Sequence, residues 1–440
     1  MSNSEPANQG PQKNKSTDLS AGHHLESEAE SSSTPHLAQG QPAADSRGTA
    51  QADAPSGEHS AQPGVVILGT GLAGYGTARE LRRAGYAGPV TLVSADDGVS
   101  YSKPMLSNAL AQGRAAKGLA QARADQMAEQ LRATVLAHTA AVQLDPVTKT
   151  VALASGQVLR FNEAVLALGA DPIRLAIEGS GAAEVLSVNN LADYAVFRQA
   201  LQAQGPVVVL GGGLIGCEFA NDLAVAGREV HVIEPSPWPL GRLVPQQVGV
   251  ALQQALADSG VAWHLGQTAA RIDRVPGSSF EVHLSGGEVV SAAVVLSAVG
   301  LQPRTQLARA AGLAAGRGIH VDALLQTSAE GVYALGDCAE IQGSVRPYVQ
   351  PLLVSARALA KTLAGQPTPV VFAVMPVVVK TPALALVVAP PGPGLVGAWQ
   401  VQGQGRDLLA WFVDDQGLKR GFAAAGTAAA RRDLQAQVVA

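Results

Sequence analysis

The pattern that most constrains this chain occurs twice. Val65-Val66-Ile67-Leu68 runs into Gly69-Thr70-Gly71-Leu72-Ala73-Gly74, and Val207-Val208-Val209-Leu210 runs into Gly211-Gly212-Gly213-Leu214-Ile215-Gly216, 142 positions downstream. A short apolar run that stops at glycines suits a strand buried on both faces of a parallel sheet. A helical stretch follows each, from about Ala73 to Ala84 and later to about Ala226. A second strand then closes each unit, Val90 to Val93 and Glu229 to Ile233. Two copies of one βαβ unit predict an α/β fold with two Rossmann-like dinucleotide-binding domains.

The glycines of such a unit have separate jobs. Gly69 and Gly211 make the tight turn, Gly71 and Gly213 let a pyrophosphate approach the backbone, and Gly74 and Gly216 let helix and strand pack closely. The helix N-terminus that follows then faces the phosphate charge, with Leu72 and Ala73 in the first unit and Leu214 and Ile215 in the second expected at the cofactors. One fingerprint is weak; two, each after an apolar strand and each leading to an acid, are specific. Glu234 ends its strand 18 residues after Gly216. A carboxylate there accepts from ribose hydroxyls and repels a 2′-phosphate, and Pro235-Ser236-Pro237-Trp238 holds no Arg, so this unit is expected to prefer NADH over NADPH. In the first unit the candidates are Asp96 and Asp97; Asp96 fits the spacing better, although both lie late.

Composition sets the remaining bounds. At 440 residues the chain is too long for one core. A net charge of −4 argues against nucleic acid as a partner. Cys217 and Cys338 lack CxxC spacing and cannot form a four-ligand metal site, and the histidines show no HxxxH or HExxH pattern. No run is long and apolar enough to span a membrane: Val370 to Val379 is of strand length, and Pro376 interrupts it. No signal peptide is evident, so a cytoplasmic location is expected. Residues 1–62 carry eight acids, three bases and no aromatics, which predicts a disordered tail.

The two fingerprints, followed by Thr327-Ser328-Ala329-Glu330-Gly331-Val332-Tyr333-Ala334-Leu335-Gly336-Asp337, resemble the FAD-dependent pyridine nucleotide oxidoreductases. Ala167 to Pro172 and Ala298 to Thr305 look like that family's crossover segments, and the resemblance covers residues 64–440. It implies non-covalent FAD in the first unit, with Asp337 on the ribityl chain, and NADH in the second. The family's disulfide reductases carry CxxxxC after the first fingerprint, and its peroxidases and NADH oxidases a lone Cys. Here Asp97 to Ser107 contains no Cys, so electrons are expected to leave the flavin directly. Tyr101-Ser102-Lys103-Pro104-Met105-Leu106-Ser107 is similar to the branch that reduces ferredoxin and rubredoxin. Within it, Ser94 to Gly98, Gly216 to Leu223 and Val379 to Pro382 point to rubredoxin.

The resemblance also implies roles. Lys103 is expected as a cation near the flavin, with Pro104, Ala167, Gly169, Gly300 and Gly336 in the cofactor sites. Glu218, two residues after Gly216, falls in the first helical turn, where a carboxylate suits the helix dipole; the resemblance gives it the nicotinamide or a lysine partner. The lysine that often follows the Leu-Ser in ferredoxin reductases is replaced by Asn108, so Lys103 or Lys380 is left to pair with Glu218. Lys380, at the end of an apolar run, could equally snorkel to water. Pro351 and Leu352 open a helix running from Leu353 to Ala364 that is expected to face the pyrimidine end of the flavin.

The expected layout is an FAD domain at 63–182 and 297–367, an NADH domain at 183–296, and a small α+β, strand-rich domain at 368–440. The expected activity passes electrons from NADH to a small acidic iron carrier, rubredoxin before ferredoxin, docked on a patch that includes Lys103, Arg346 and Lys380. A flavin-bound protein that responds to NADH by changing its partner surface is the rival reading.

Overall fold

Gly64–Leu68 is buried along its whole length because parallel strands flank it on both sides. Val90–Val93 lies on one side and Val158–Leu166 on the other. Thr134–Leu136 extends the sheet outward, and Val332–Ala334 returns from far along the chain to join Val158–Leu166. The structure is a computed structural model that describes residues 63–277 and 279–439. The expected tail at 1–62 lies outside the described residues.

The helix of the first fingerprint spans Leu72–Arg83 and packs on the helix Val349–Leu363. That second helix starts four residues before the expected Leu353. Pro351 stands in its first turn, where its missing N–H has no intrahelical partner to lose, so it does not delay the start.

The second unit repeats the plan. Val207–Leu210 lies between Val230–Glu234 and Val294–Ser297, all parallel, with Val261–Leu265 at the edge. Its helix spans Leu214–Val225. A three-stranded antiparallel sheet, 269–275, 279–284 and 289–292, packs beside it. Between the units, Ala170–Pro172 pairs antiparallel with Leu301–Pro303. Arg304 clips this crossover through an ion pair with Asp171 at 2.5 Å and its N–H to Gly169 O at 3.0 Å.

The C-terminal part is a five-stranded antiparallel sheet in which Val377–Val379, three residues long, is an edge. Its helical content is two short 3-10 turns, 426–430 and 435–437. The cores do not follow the expected boundaries. Val370, placed in the C-terminal part by the sequence, belongs to the core of the first unit. The second unit instead shares one core with the C-terminal sheet: Phe219, Leu223 and Val232 are continuous with Val379, Leu386 and Leu408.

Candidate functional site

Both fingerprints open on one cavity of about 1690 Å³. An ordinary small-ligand pocket holds roughly 300–1,000 Å³. The extra room, with a glycine turn at each of two ends, matches the demand of two dinucleotides.

The backbone is the same at both ends. Gly69 and Gly211 take φ of 122° and 100°, a region that glycine alone enters cheaply. Their N–H groups donate to Val93 O and Ile233 O, each at 2.8 Å. Gly71 and Gly213 are the N-caps, and no side chain caps either helix. A Cβ built on either would meet open space. The first-turn amides are thus left for an outside acceptor, and the residues fit a pyrophosphate. Leu72, Ala73, Leu214, Ile215, Ala167, Gly169, Gly300, Pro351 and Leu352 line the cavity. Gly74, Gly216 and Gly336 stand behind its wall instead. A Cβ on Gly74 would lie 1.8 Å from Gly69 O, and one on Gly216 1.9 Å from Gly211 O.

The acids differ between the ends. Glu234 closes its strand, and its carboxylate accepts from Gly212 N at 2.5 Å and Ser236 N at 2.8 Å. It therefore braces the glycine turn while lining the cavity. Asp96 lies three residues beyond the strand end at Val93, accepts from Gly98 N at 3.0 Å and from Ser94 Oγ, and lines the cavity; Asp97 does not. The sequence reading, confined to the four residues after Glu234, missed a cation here. Leu240 N donates to Gly212 O at 2.9 Å, which folds the loop back and brings Arg242 onto the cavity wall.

Lys103, Glu218, Lys380 and Asp337 also line this cavity. The helix begins at Leu214, so Glu218 is its fifth residue and lies in the second turn, not the first. Helix-end charge therefore does not explain it. Glu218 is 7% exposed and ion-paired to Lys380, Nζ to Oε2 at 2.6 Å. The backbone N–H of Lys380 donates to its other oxygen at 3.1 Å. Ser107 Oγ donates to Glu218 at 2.6 Å and accepts from Lys380 Nζ at 2.8 Å; Nζ also donates to Pro104 O. The ammonium is not snorkelling to bulk water.

Lys103 does not join this cluster. Burial pushes its ammonium below the ordinary lysine range, with Asp337 opposing. Burial likewise raises the Asp337 carboxyl, with Lys103 opposing. Desolvation thus outweighs their mutual attraction in both groups.

Ser107, Asn221 and Asp222 entered the sequence reading only inside the segments that carry the resemblance, with no role of their own. Asp222 accepts from Leu110 N and Ala111 N at 2.9 and 3.0 Å, and Asn221 Oδ1 from Ala383 N at 3.1 Å. The signal was present: 218, 221 and 222 fall on one face of a mostly apolar helix. The expected docking patch is changed as well. Lys380 is committed to Glu218, and Arg346 lies over the Phe372 ring at 4.8 Å. Val378, 64% exposed, lines the cavity instead, with Met375 and Pro376 beside it in sequence. Both cysteines are buried and line no part of the cavity. Burial pushes the Cys338 thiol up to about 11 and Cys217 higher still.

Comparison with known proteins agrees with this geometry. Residues 63–358 match the pyridine nucleotide-disulphide oxidoreductase profile, and residues 369–438 match a rubredoxin binding C-terminal domain. A rubredoxin-NAD(+) reductase of Alcanivorax borkumensis is 46% identical over 83% of this chain and 95% of its own. A nitric oxide reductase FlRd-NAD(+) reductase of Aeromonas hydrophila is 38% identical over 82% of this chain and 92% of its own. Among solved structures, a ferredoxin reductase of Rhodopseudomonas palustris superposes with a TM-score of 0.75 at 27% identity, over 82% of this chain and 90% of that one. With its two dinucleotide cradles on one cavity, the chain belongs to the pyridine nucleotide-disulphide oxidoreductase family.

Proposed function

We propose that the protein is an NADH-dependent flavoprotein reductase that passes electrons singly to a rubredoxin. The observation that carries this reading is the cavity: two glycine cradles on one space, with no thiol on its wall. Bound FAD would accept hydride from NADH and release its two electrons one at a time. The chain's own part is to bind, orient and tune. Gly71 and the amides that follow would hold the FAD pyrophosphate, Asp96 its adenosine ribose and Asp337 the ribityl chain. Lys103 would supply positive charge to the ring, and the start of the helix at Val349, which no side chain caps, would add its dipole. Gly213 and its helix hold the NADH pyrophosphate, Glu234 the ribose, and Glu218 the nicotinamide end. Hydride transfer asks the protein for orientation rather than for a proton donor, and the one proton left behind once both electrons have passed to rubredoxin would be released to solvent.

Rubredoxin is preferred over ferredoxin because residues 369–438 match the rubredoxin-binding profile. The lysine absent at 108 no longer separates the two, since Lys380 supplies that cation to Glu218. Among the described residues, no helix is long and apolar enough to cross a membrane. A cytoplasmic location belongs to the same reading, supported by two cysteines left as free thiols. The test is steady-state turnover with NADH and either rubredoxin or ferredoxin. Rubredoxin is expected to be reduced at many turnovers per flavin. Stoichiometric NADH binding without turnover would favour an interaction protein, and faster ferredoxin reduction would move the acceptor.

A further inference from the structure

Three parts of the chain meet at Lys380. The lysine follows the edge strand Val377–Val379 of the C-terminal sheet, its ammonium pairs with Glu218 of the second glycine helix, and the same ammonium bonds Ser107 and Pro104 O beside the first unit. Lys380 comes directly after the last paired residue of the strand, two positions from Val378. Val378 is 64% exposed while Lys380 reaches into the cluster. Three residues farther on, Ala383 N binds Asn221, on the same helix face as Glu218. The second unit and the C-terminal sheet also share one apolar core. A load on Val378 therefore has a short, fully bonded route to Glu218.

We infer that acceptor docking and coenzyme binding are linked through Lys380, so that each tightens the other. The inference rests on the reading that rubredoxin docks on the C-terminal sheet. Both ligands favour one state, the strand ordered with its ammonium on Glu218. A partner seated on Val378 would brace the strand that carries Lys380, which is an edge of the sheet and is paired on one side only. Coenzyme packed against Glu218 excludes water from the pair, and an ion pair in a drier site is harder to open. Two ligands that select the same state bind cooperatively, and the coupling is reciprocal.

The test uses the flavin-loaded full chain and redox-inert probes, so that no electron moves. The coenzyme probe is 1,4,5,6-tetrahydro-NAD, an analogue whose ring is uncharged as in NADH but cannot give up hydride, and the acceptor probe is zinc-substituted rubredoxin. Calorimetry gives the analogue's Kd with and without saturating zinc-rubredoxin. The expected result is a Kd lowered about fivefold, at the modest end of measured couplings. The reciprocal titration must return the same factor on the unmodified protein. In Lys380→Gln the factor should fall to one while both ligands still bind. If that variant does not fold, Ser107→Ala, which removes one partner of the ammonium, is measured in its place, and a factor left at fivefold there overturns the route through this cluster. An unchanged Kd in the unmodified protein overturns the linkage, and a fivefold shift that survives in Lys380→Gln overturns Lys380 as its route. If zinc-rubredoxin does not bind at all, the functional reading falls and takes the linkage with it.

Discussion

The two glycine units share a backbone plan and differ in how they are sealed. The first is closed by apolar packing: its helix Leu72–Arg83 lies on Val349–Leu363, inside a core of its own. The second is closed by polar links. Glu218, Asn221 and Asp222, all buried on its helix, bind Lys380, Ala383, Leu110 and Ala111. The acids also differ: Glu234 braces its turn through the backbone at Gly212 N, while Asp96 stands beyond its strand, holds the following loop at Gly98 and reaches its turn through the side chains of Thr70 and Ser94. The same fold element is thus closed by apolar contacts alone once and by buried polar bonds added to an apolar core the second time.

The largest predicted effect separates the units by their third glycines. A Cβ at Gly74 or Gly216 meets a backbone oxygen at under 2 Å, so each turn must shift. Overpacking of this kind costs about 1–3 kcal/mol. Gly74→Ala should be purified with little flavin. Gly216→Ala should keep its flavin and lose NADH binding. The flavin-to-protein ratio and a coenzyme titration check both, and flavin loss in both variants would erase the distinction.

Next comes the polar seal. Lys380→Met leaves Glu218 buried without its cation, and stability in urea should fall by about 2–3 kcal/mol. The double variant Lys380→Met/Glu218→Gln should recover part of that loss. A single variant as stable as the unmodified protein would show the second unit to be sealed by its apolar core alone.

Coenzyme choice is the third difference. NADH should be preferred by at least about tenfold in kcat/KM, or about 1.4 kcal/mol. Glu234→Ala should narrow the gap mainly by improving NADPH, with Arg242 on the cavity wall available to the 2′-phosphate. Some NADH affinity should be lost too, because Gly212 N loses its acceptor. Equal use of both coenzymes by the unmodified protein would remove Glu234 as the discriminator. Smallest is the thiol effect. Cys217 and Cys338 donate to Gly212 O and Leu166 O, each at 3.3 Å, so serine hydroxyls inherit partners. The double serine variant should lose under about 1 kcal/mol per site and keep dye reduction. Loss of activity with flavin retained would bring a thiol into the chemistry.

What the sequence disclosed was local. Apolar runs ending in glycines placed both cradles, because strand, turn and helix start are written in consecutive residues. What it withheld was pairing across distance. Glu218 and Lys380 lie 162 positions apart, and the serine between them comes from another segment again. Lys103 and Lys380 were equal candidates by composition, and only the path of the edge strand decides between them. Counting from Gly216 rather than from the helix start at Leu214 put Glu218 one turn too early. The shared core of the second unit and the C-terminal sheet was equally invisible, since no residue type marks which apolar face meets which.

The central claim is a division of labour, with the second unit receiving NADH and the first delivering electrons without a thiol. Its most direct test is a stopped-flow measurement on Gly216→Ala, reduced photochemically so that NADH is bypassed, and mixed with rubredoxin. The account predicts that rubredoxin is reduced at the rate of the unmodified protein, while the oxidised variant is no longer reduced by NADH. Loss of both half-reactions together, or survival of NADH reduction, would contradict it.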